Sequence, residues 1–398
     1  MKWFSNKISA VAIAAIAYCS ASAESADSIA ATPLQWRVGV EFSPAFVPHT
    51  NRYLSGENTA GKATDAAFAG SLRGDFSFSP ASRKGRLYPG LYQGLGVDAR
   101  GFSGGMLGSP VSVYVFQGAP VARLGSRLWL GYEWQFGAAF GWKHRSEVTD
   151  DAPFGENGAI STAVTAHMGV ALKLHYRLNT RWQLSAAIGA THFSNGNTSY
   201  PNAGVNIVGL SIGAAYSLAP SPAEAPAAPV ADAEADAGEW FFDITAYGGW
   251  RKRGLALAGD AVMCPGRFGV AGLQLAPMRK FNRWVAAGVS LDMQYDESAG
   301  LAPYWVEGTW GEGVRFRRPP FGKQLSAGLS AHAELTMPIF AINAGLGYDF
   351  VCPDGDRRFY QSLALKTFVT RNLYLNVGYR LGRFRDPQNL MLGLGVRL

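Results

Sequence analysis

The chain has few charged residues, few cysteines and no long apolar run after its first 23 residues. Charged side chains occupy 16% of its 398 positions, against about 25% in average proteins, so it does not have the composition of an ordinary cytosolic enzyme. No segment after residue 23 approaches the roughly 18 to 20 consecutive apolar residues that a spanning helix needs, which excludes a helical membrane protein. A disordered chain is excluded as well, because 11 Trp, 16 Tyr and 23 Phe indicate a sequence that buries apolar surface.

The apolar residues and the 48 glycines are arranged with a period of two. From Leu128 to Trp142 the even positions are almost all large and apolar, whereas the odd positions from Gly131 to Gly141 read Gly, Glu, Gln, Gly, Ala, Gly. Such alternation is typical of strands whose two faces meet different environments. Because the polar row is thin and rich in glycine, we expect an all-β fold: a transmembrane, antiparallel β-barrel of the Gram-negative outer membrane. The alternative is a secreted β-sandwich, whose outer face would carry more charge.

The first residues have the features of an export signal. Two lysines precede an apolar stretch at 8–18, and the small-x-small sequence Ala-Ser-Ala at 21–23 is a cleavage site. We therefore expect residues 1–23 to be removed. Cys19 leaves a lipoprotein as an alternative, although a large residue precedes it where lipid attachment normally requires a small one.

Two groups of strands are predicted, and a segment rich in proline and alanine separates them. Residues 24–218 form the first barrel, 219–238 a periplasmic linker that its four prolines keep out of any strand, and 239–398 the second half. Whether the halves are tandem eight-stranded barrels or one barrel of about sixteen strands stays open at this stage. The first eight strands are expected near 35–47, 64–79, 89–102, 110–123, 128–142, 159–178, 181–194 and 204–217. About eight more are expected near 240–252, 267–279, 283–295, 322–336, 339–351, 358–370, 372–382 and 389–398.

The lengths of the connections predict the orientation in the membrane. With the amino terminus in the periplasm, odd-numbered strands run outward, and the long connections 48–63, 143–158, 253–266 and 296–321 follow them. The opposite connections are mostly short. Long outer loops and tight periplasmic turns are usual in outer-membrane barrels.

One strand carries polar residues on the face that should contact lipid. The apolar row of the seventh strand continues to His192 and Ser194, and the apolar row of the eighth strand begins with Asn206. Unpaired polar groups cost several kcal/mol in lipid, of the order of 2–7 for a neutral group, so their presence calls for an explanation.

These residues have two interpretations. In the first, Ser194 is the nucleophile of a hydrolase, His192 is its base, Asn206 holds the imidazole, and the amide of Asn195 or Asn202 binds the oxyanion together with backbone N–H groups. In the second, the polar groups lie at the headgroup boundary and only meet water or lipid phosphate. The protein would then be a structural, adhesion or porin-like barrel.

The sequence from His192 to Asn195, followed by Pro201-Asn202, Gly204 and Asn206, resembles the active-site segment of the PagL-type lipid A 3-O-deacylases. The resemblance covers residues ~35–218. It implies an eight-stranded outer-membrane enzyme that acts on lipopolysaccharide in the outer leaflet. It also implies that Ser194 is the nucleophile, His192 the base and Asn202 an oxyanion donor. One difference from the family is the neutral Asn206, where the family has an acidic residue; it orients an imidazole but stabilises the imidazolium less.

The remaining sequence predicts less chemistry. Cys264 and Cys352 both fall in predicted outer connections, where the surroundings are oxidising, so we expect them to form a disulfide. No cofactor and no nucleic acid is expected, because metal-type Cys/His spacing, phosphate-binding glycine loops and nucleic-acid motifs are not evident in the sequence. The second half lacks a His/Ser pair at the place that corresponds to strands seven and eight, and its polar residues Asp292, Asp296, His332 and Glu334 are expected inside a barrel.

Overall fold

A computed structural model describes residues 34–58, 60–144, 158–199, 202–221, 237–257, 260–306, 315–352, 358–384 and 386–398. The predicted signal 1–23 lies outside the described residues, as does most of the predicted linker. Within the described part of the chain, no helix is long and apolar enough to cross a membrane.

The first eight strands form a closed antiparallel barrel in which each strand pairs with its sequence neighbours and β1 pairs with β8. A short helix, α1 (Arg83–Leu87), lies in the connection between β2 and β3. The observed bounds agree with the predicted ones to within a few residues. The strands are β1 (Leu34–Phe46), β2 (Ala66–Phe78), β3 (Tyr92–Phe102), β4 (Gly108–Arg123), β5 (Leu128–Trp142), β6 (Val164–Arg177), β7 (Trp182–Ser194) and β8 (Val205–Ser217).

The second half closes into its own eight-stranded antiparallel barrel, in which β9 pairs with both β12 and β20. The question that the sequence left open is therefore answered: the chain has two barrels. Two small hairpins in the connections were not predicted, β10 (Gly254–Leu257) with β11 (Asp260–Met263) and β14 (Trp305–Val306) with β15 (Arg315–Phe316). The barrel strands are β9 (Trp240–Arg251), β12 (Phe268–Lys280), β13 (Val285–Asp296), β16 (Leu325–Thr336), β17 (Phe340–Val351), β18 (Phe359–Phe368), β19 (Leu373–Gly382) and β20 (Asp386–Arg397).

Alternation along the strands gives each barrel an apolar outside. On β1 the outward residues Val40 and Phe42 are 56% and 50% exposed, and on β8 Leu210 is 61% exposed. A closed barrel satisfies its backbone hydrogen bonds between strands, so this apolar belt can face hydrocarbon without an unpaired edge. The outward rows therefore form the membrane-facing surface of an outer-membrane barrel.

Paired charges fill the interior of the first barrel. Arg73 lies 2.8 Å from a carboxylate oxygen of Glu41 and 2.6 Å from one of Glu133. Lys173 contacts both carboxylates, and the phenol of Tyr92 donates to Glu133. Side chains that pair in this way offset part of their desolvation cost. The interior of the first barrel is therefore packed with ion-paired side chains.

A cluster of buried apolar side chains closes the end of the first barrel at which β1, β3, β5 and β7 finish, which we call the loop end. It includes Val47 and Leu54 from the β1–β2 connection, Trp142 from β5, and Phe193 from β7. The rings of Trp142 and Phe193 meet edge to face at 5.1 Å. The connections at this end are thus packed onto the barrel.

The structure does not form the predicted disulfide. Cys264 is a buried thiol, and Cys352 is a partly buried thiol. The backbone N–H of Cys264 donates to the carbonyl of Arg253, so the residue is folded back onto the connection that contains β10 and β11. The sequence placed both cysteines in connections on one side of the membrane, but it did not determine the path of those connections.

Candidate functional site

The register places the three outward polar residues side by side at the loop end of the first barrel. His192 on β7 is paired with Asn206 on β8 and with Met168 on β6. Ser194 follows two residues later on the same face of β7, opposite Ala166 of β6. All three polar residues are partly exposed. The structure therefore brings His192, Ser194 and Asn206 to one patch of the outer wall.

Phe193 holds these outward residues in place from below. Its side chain points into the barrel, is fully buried, and contacts the rings of Trp142 and His167 at 5.1 and 5.0 Å. Because side chains alternate across a strand, anchoring Phe193 inside fixes its two neighbours on the outside.

The imidazole of His192 is hydrogen-bonded to the side chain of Asn206. The distance from Nδ1 of His192 to Oδ1 of Asn206 is 2.7 Å. An amide oxygen can only accept, so in this arrangement Nδ1 carries the proton and Nε2 has a lone pair. The second end of the Asn206 amide, Nδ2, donates to Oγ1 of Thr50 at 3.3 Å.

Gly204 lies against the same imidazole. Its φ of +74° is in the left-handed region, and a Cβ built there would lie only 2.9 Å from Cε1 of His192. Both observations require glycine at this position, because any other side chain strains the backbone and displaces the ring.

In the described part of the structure the hydroxyl of Ser194 makes no hydrogen bond to His192.

The loop after β7 sets the surroundings of Ser194. The backbone N–H of Asn195 donates to Oδ1 of Asn202 at 3.0 Å, which places the Asn202 carboxamide beside the peptide unit that follows Ser194. The loop turns through left-handed φ values at Gly196 and Asn197, 62° and 63°.

The two predicted oxyanion donors have different environments. The Asn195 side chain is buried, and its amide donates to Oγ of Ser161 and to the carbonyl of Ser199 at 3.1 and 2.9 Å. One N–H of this amide therefore bonds within the loop, and the other ties the loop to the β5–β6 connection. Of the two predicted donors, Asn202 has its carboxamide beside the peptide unit that follows Ser194, where its Oδ1 accepts a hydrogen bond.

Sequence reasoning missed the contribution of the β1–β2 connection. Thr50 contacts Asn206, and Nδ2 of Asn51 donates to the carbonyl of Gly204 at 3.0 Å. The two contacts join residues 156 and 153 positions apart, and loops have no periodicity that would indicate such contacts. No signal in the sequence could have identified them.

The second barrel contains a serine, a histidine and an asparagine in a hydrogen-bonded chain, but in its interior. Oγ of Ser330 lies 2.8 Å from Nε2 of His332, whose Nδ1 lies 2.5 Å from Oδ1 of Asn343. All three side chains are buried, and Ser330 also donates to the carboxylate of Asp292. These hydrogen-bonded side chains belong to the polar interior of the second barrel, as predicted for His332 and Asp292. They do not face lipid.

Metal chemistry has no obvious location in the described part of the chain. Among those residues no group of three or more His, Cys, Asp or Glu side chains is arranged to hold a metal ion.

Two family models match the chain. Residues 121–215 match a model described as lipid A 3-O-deacylase (PagL), and residues 240–398 match one described as acyloxyacyl hydrolase, C-terminal domain. The first match includes β7, the loop after it and nearly all of β8. The two models together cover more than half of the chain. Among curated proteins none matches it.

Several solved structures match the chain at low sequence identity. One is the outer membrane enzyme PagL, which is 13% identical to this chain. The match covers 44% of this chain and 97% of the PagL chain, with a TM-score of 0.32. The toluene transporter TodX of Pseudomonas putida is 11% identical, with 92% of this chain and 87% of its own covered and a TM-score of 0.18. The siderophore receptor PirA of Pseudomonas aeruginosa is 10% identical, with coverages of 92% and 80% and a TM-score of 0.24.

Proposed function

We propose that this chain, which belongs to the PagL family of lipid A deacylases and lies in the Gram-negative outer membrane, is a serine esterase that uses Ser194 as its nucleophile. The bond cleaved is the ester that holds the acyl chain at the 3-O position of lipid A. The observation that carries this proposal is the His192–Asn206 hydrogen bond on the lipid-facing wall, on the same strand face as Ser194.

The proposed reaction has two steps. Nε2 of His192 takes the proton of the Ser194 hydroxyl as Oγ attacks the ester carbonyl, and then gives it to the sugar oxygen that leaves. The acyl group is now esterified to Ser194. His192 next takes a proton from water, which attacks the acyl-enzyme; the fatty acid leaves, and the proton returns to Ser194.

Stabilisation of the negative charge on the carbonyl oxygen falls to Asn202. Oδ1 of its carboxamide accepts the N–H of the peptide after Ser194, and its Nδ2 would donate to the oxygen of the tetrahedral intermediate. Pre-oriented donors of this kind typically contribute about 10²–10³ in kcat. Asn195 supports the reaction indirectly, because its buried amide holds the loop that carries Asn202.

The substrate is lipopolysaccharide. If the long connections face outward, the loop end of the first barrel lies in the outer leaflet, where lipid A resides. The ester bonds of lipid A are just below its sugar headgroup, and the partly exposed residues His192 and Ser194 at the loop end would then meet them. Lipid A can then reach Ser194 by lateral diffusion in the membrane, without entering a pocket.

The chain organisation completes the proposal. Residues 1–23 direct export and are removed, 24–218 form the deacylase barrel, 219–238 are a periplasmic linker, and 239–398 form the second barrel. The mass of the mature protein tests the first element, since it should correspond to a chain that begins at Glu24.

The test uses the purified full-length protein and lipopolysaccharide in detergent, with released 3-hydroxy fatty acid measured by mass spectrometry. Ser194→Ala should abolish release. Ser185→Ala is the matched control, because Ser185 lies on the same strand with its side chain on the opposite, inward face, and it should release fatty acid at the wild-type rate. Undiminished release by Ser194→Ala would rule out the serine mechanism.

A further inference from the structure

The β1–β2 connection contacts the His192 site through two consecutive residues. Oγ1 of Thr50 accepts a hydrogen bond from Nδ2 of Asn206 at 3.3 Å, and Nδ2 of Asn51 donates to the carbonyl of Gly204 at 3.0 Å. Asn206 is the hydrogen-bond partner of the imidazole, and Gly204 is in contact with its Cε1 edge. Asn206 and Gly204, which both lie against His192, are therefore each held in turn by a residue of the β1–β2 connection.

The connection itself is fixed to the barrel. At its base the N–H of Val47 donates to the carbonyl of Asp65 at 2.8 Å, and further along the N–H of Thr64 donates to the carbonyl of Leu54 at 2.9 Å. Val47 and Leu54 are fully buried in the apolar cluster of the loop end. The segment that carries Thr50 and Asn51 is consequently anchored on both sides.

The orientation of the Asn51 amide is determined by a second contact. Its Oδ1 accepts the N–H of Leu54 at 3.1 Å, so its Nδ2 is directed to Gly204. A buried anchor, Leu54, thus sets the direction in which Asn51 donates.

The position of the Asn206 side chain matters more for catalysis than that of an acidic residue in its place would. A carboxylate attracts the imidazolium by charge, and a hydrogen bond to a charged group is roughly twice as strong as a neutral one. The neutral amide of Asn206 holds His192 only through geometry, so its side chain must already be in place when the proton moves.

We propose that Thr50 and Asn51 are positioning residues of the deacylation reaction. Thr50 holds the Asn206 amide at Nδ1 of His192, and Asn51 holds Gly204 against the ring. The proposal rests on the serine mechanism proposed above. It adds that a connection far away in the sequence sets the efficiency of the base.

The test is a kinetic comparison of full-length variants acting on lipopolysaccharide. Thr50→Val removes the hydroxyl at nearly constant volume and should lower kcat by about tenfold, the scale of one hydrogen bond, with KM changed less than about twofold. Thr50→Ser should restore kcat. Ser55→Ala is the matched control in the same connection, since its hydroxyl donates only to the carbonyl of Arg52; it should behave like the wild type.

A second background separates positioning from general damage to the fold. In Asn206→Asp, the carboxylate holds the imidazole by charge, so adding Thr50→Val should lower kcat by less than about twofold. Circular dichroism and the heat-dependent shift in electrophoresis establish that each barrel is folded. Asn51→Ala, which removes the hydrogen bond to the carbonyl of Gly204, should also lower kcat with little change in KM, and a wild-type kcat in a folded Asn51→Ala would overturn the role of Asn51. If Asn51→Ala does not fold, Thr50→Val alone decides the question.

The outcomes distinguish this proposal from the one on which it rests. Wild-type kcat in Thr50→Val, together with an inactive Ser194→Ala, overturns the role of Thr50 and leaves the serine mechanism intact. An equal loss from Thr50→Val in both backgrounds also overturns it, because the effect would then not pass through Asn206. Full activity in Ser194→Ala overturns both proposals.

Discussion

Oδ1 of Asn206 lies 2.7 Å from Nδ1 of His192, across the pairing of β7 and β8 on the outer wall of the first barrel. Asn206 is the residue that differs from the acidic one of the family, and His192 is the proposed base. The two are therefore in direct hydrogen-bond contact. A neutral acceptor fixes which nitrogen of the imidazole carries the proton, but it contributes no charge when the imidazolium forms.

Asn206→Asp should therefore raise activity. A carboxylate at the same position would keep the hydrogen bond to Nδ1 and add charge stabilisation of the imidazolium, so we expect kcat to increase several-fold, up to about tenfold. Asn206→Leu should lower kcat, because it removes the acceptor. The measurement is the rate of fatty-acid release at saturating lipopolysaccharide; a kcat for Asn206→Asp at or below the wild-type value would contradict this interpretation of the pair.

Gly204→Ala should impair catalysis through the ring of His192. The new Cβ would lie 2.9 Å from Cε1, so the imidazole must move, and misplacement of a catalytic group by about 1 Å can cost about 10² in rate. Gly105→Ala is the matched control, since Gly105 also has a left-handed φ, +66°, but a Cβ there meets nothing within 4 Å. Both variants carry similar backbone strain, and only Gly204→Ala should lose kcat. Equal rates in the two would show that the contact with the ring is unimportant.

Glu133→Ala should destabilise the first barrel. It would leave Arg73 and Lys173 buried with one carboxylate, Glu41, in place of two. Breaking a buried ion pair costs about 3–5 kcal/mol, and we expect a loss of that size in the free energy of unfolding measured with urea in detergent micelles. Glu57→Ala, which removes a carboxylate from an exposed pair with Arg52, is the control and should change stability by less than about 0.5 kcal/mol. A similar stability for both variants would argue against the interior network as a source of stability.

Cys264 should react slowly with alkylating reagents at neutral pH. Burial disfavours its thiolate and raises the pKa of the thiol to about 11, so at pH 8 only about one molecule in 10³ carries the reactive form. The rate of alkylation of native protein should rise with pH up to that value. Iodoacetamide labelling of Cys352→Ser, followed by mass spectrometry at several pH values, measures it. Fast labelling at pH 7 would contradict the burial of this thiol, and a mass change on reduction of the wild type would restore the disulfide that the sequence suggested.

Much of the fold could be predicted from the sequence because the membrane imposes a simple rule on every strand. Lipid on one side and a packed polar interior on the other give a period of two, and the sixteen barrel strands follow it to within a few residues of their predicted bounds. The same rule revealed His192, Ser194 and Asn206 as exceptions. The sequence left open which strands close each barrel, since the pairings of β1 with β8 and of β9 with β20 depend on curvature, which the period does not determine.

The connections were the least predictable part of the molecule. Thr50 and Asn51 contact the site through single hydrogen bonds from a loop, and Cys264 is folded onto its own connection instead of reaching Cys352. Such contacts depend on the path of the backbone between strands, for which the sequence has no periodic signal. The hairpin of β10 and β11 was missed for the same reason.

The most direct test of the central claim is mass spectrometry of lipid A from cells that produce the wild-type protein, Ser194→Ala or no protein. If Ser194 is the nucleophile, lipid A from wild-type cells will lack one ester-linked 3-hydroxy acyl chain. Cells with Ser194→Ala will have the same lipid A as cells without the protein, although the variant is present and folded in the outer membrane. Lipid A from Ser194→Ala cells that lacks the chain to the same extent as the wild type would contradict the account.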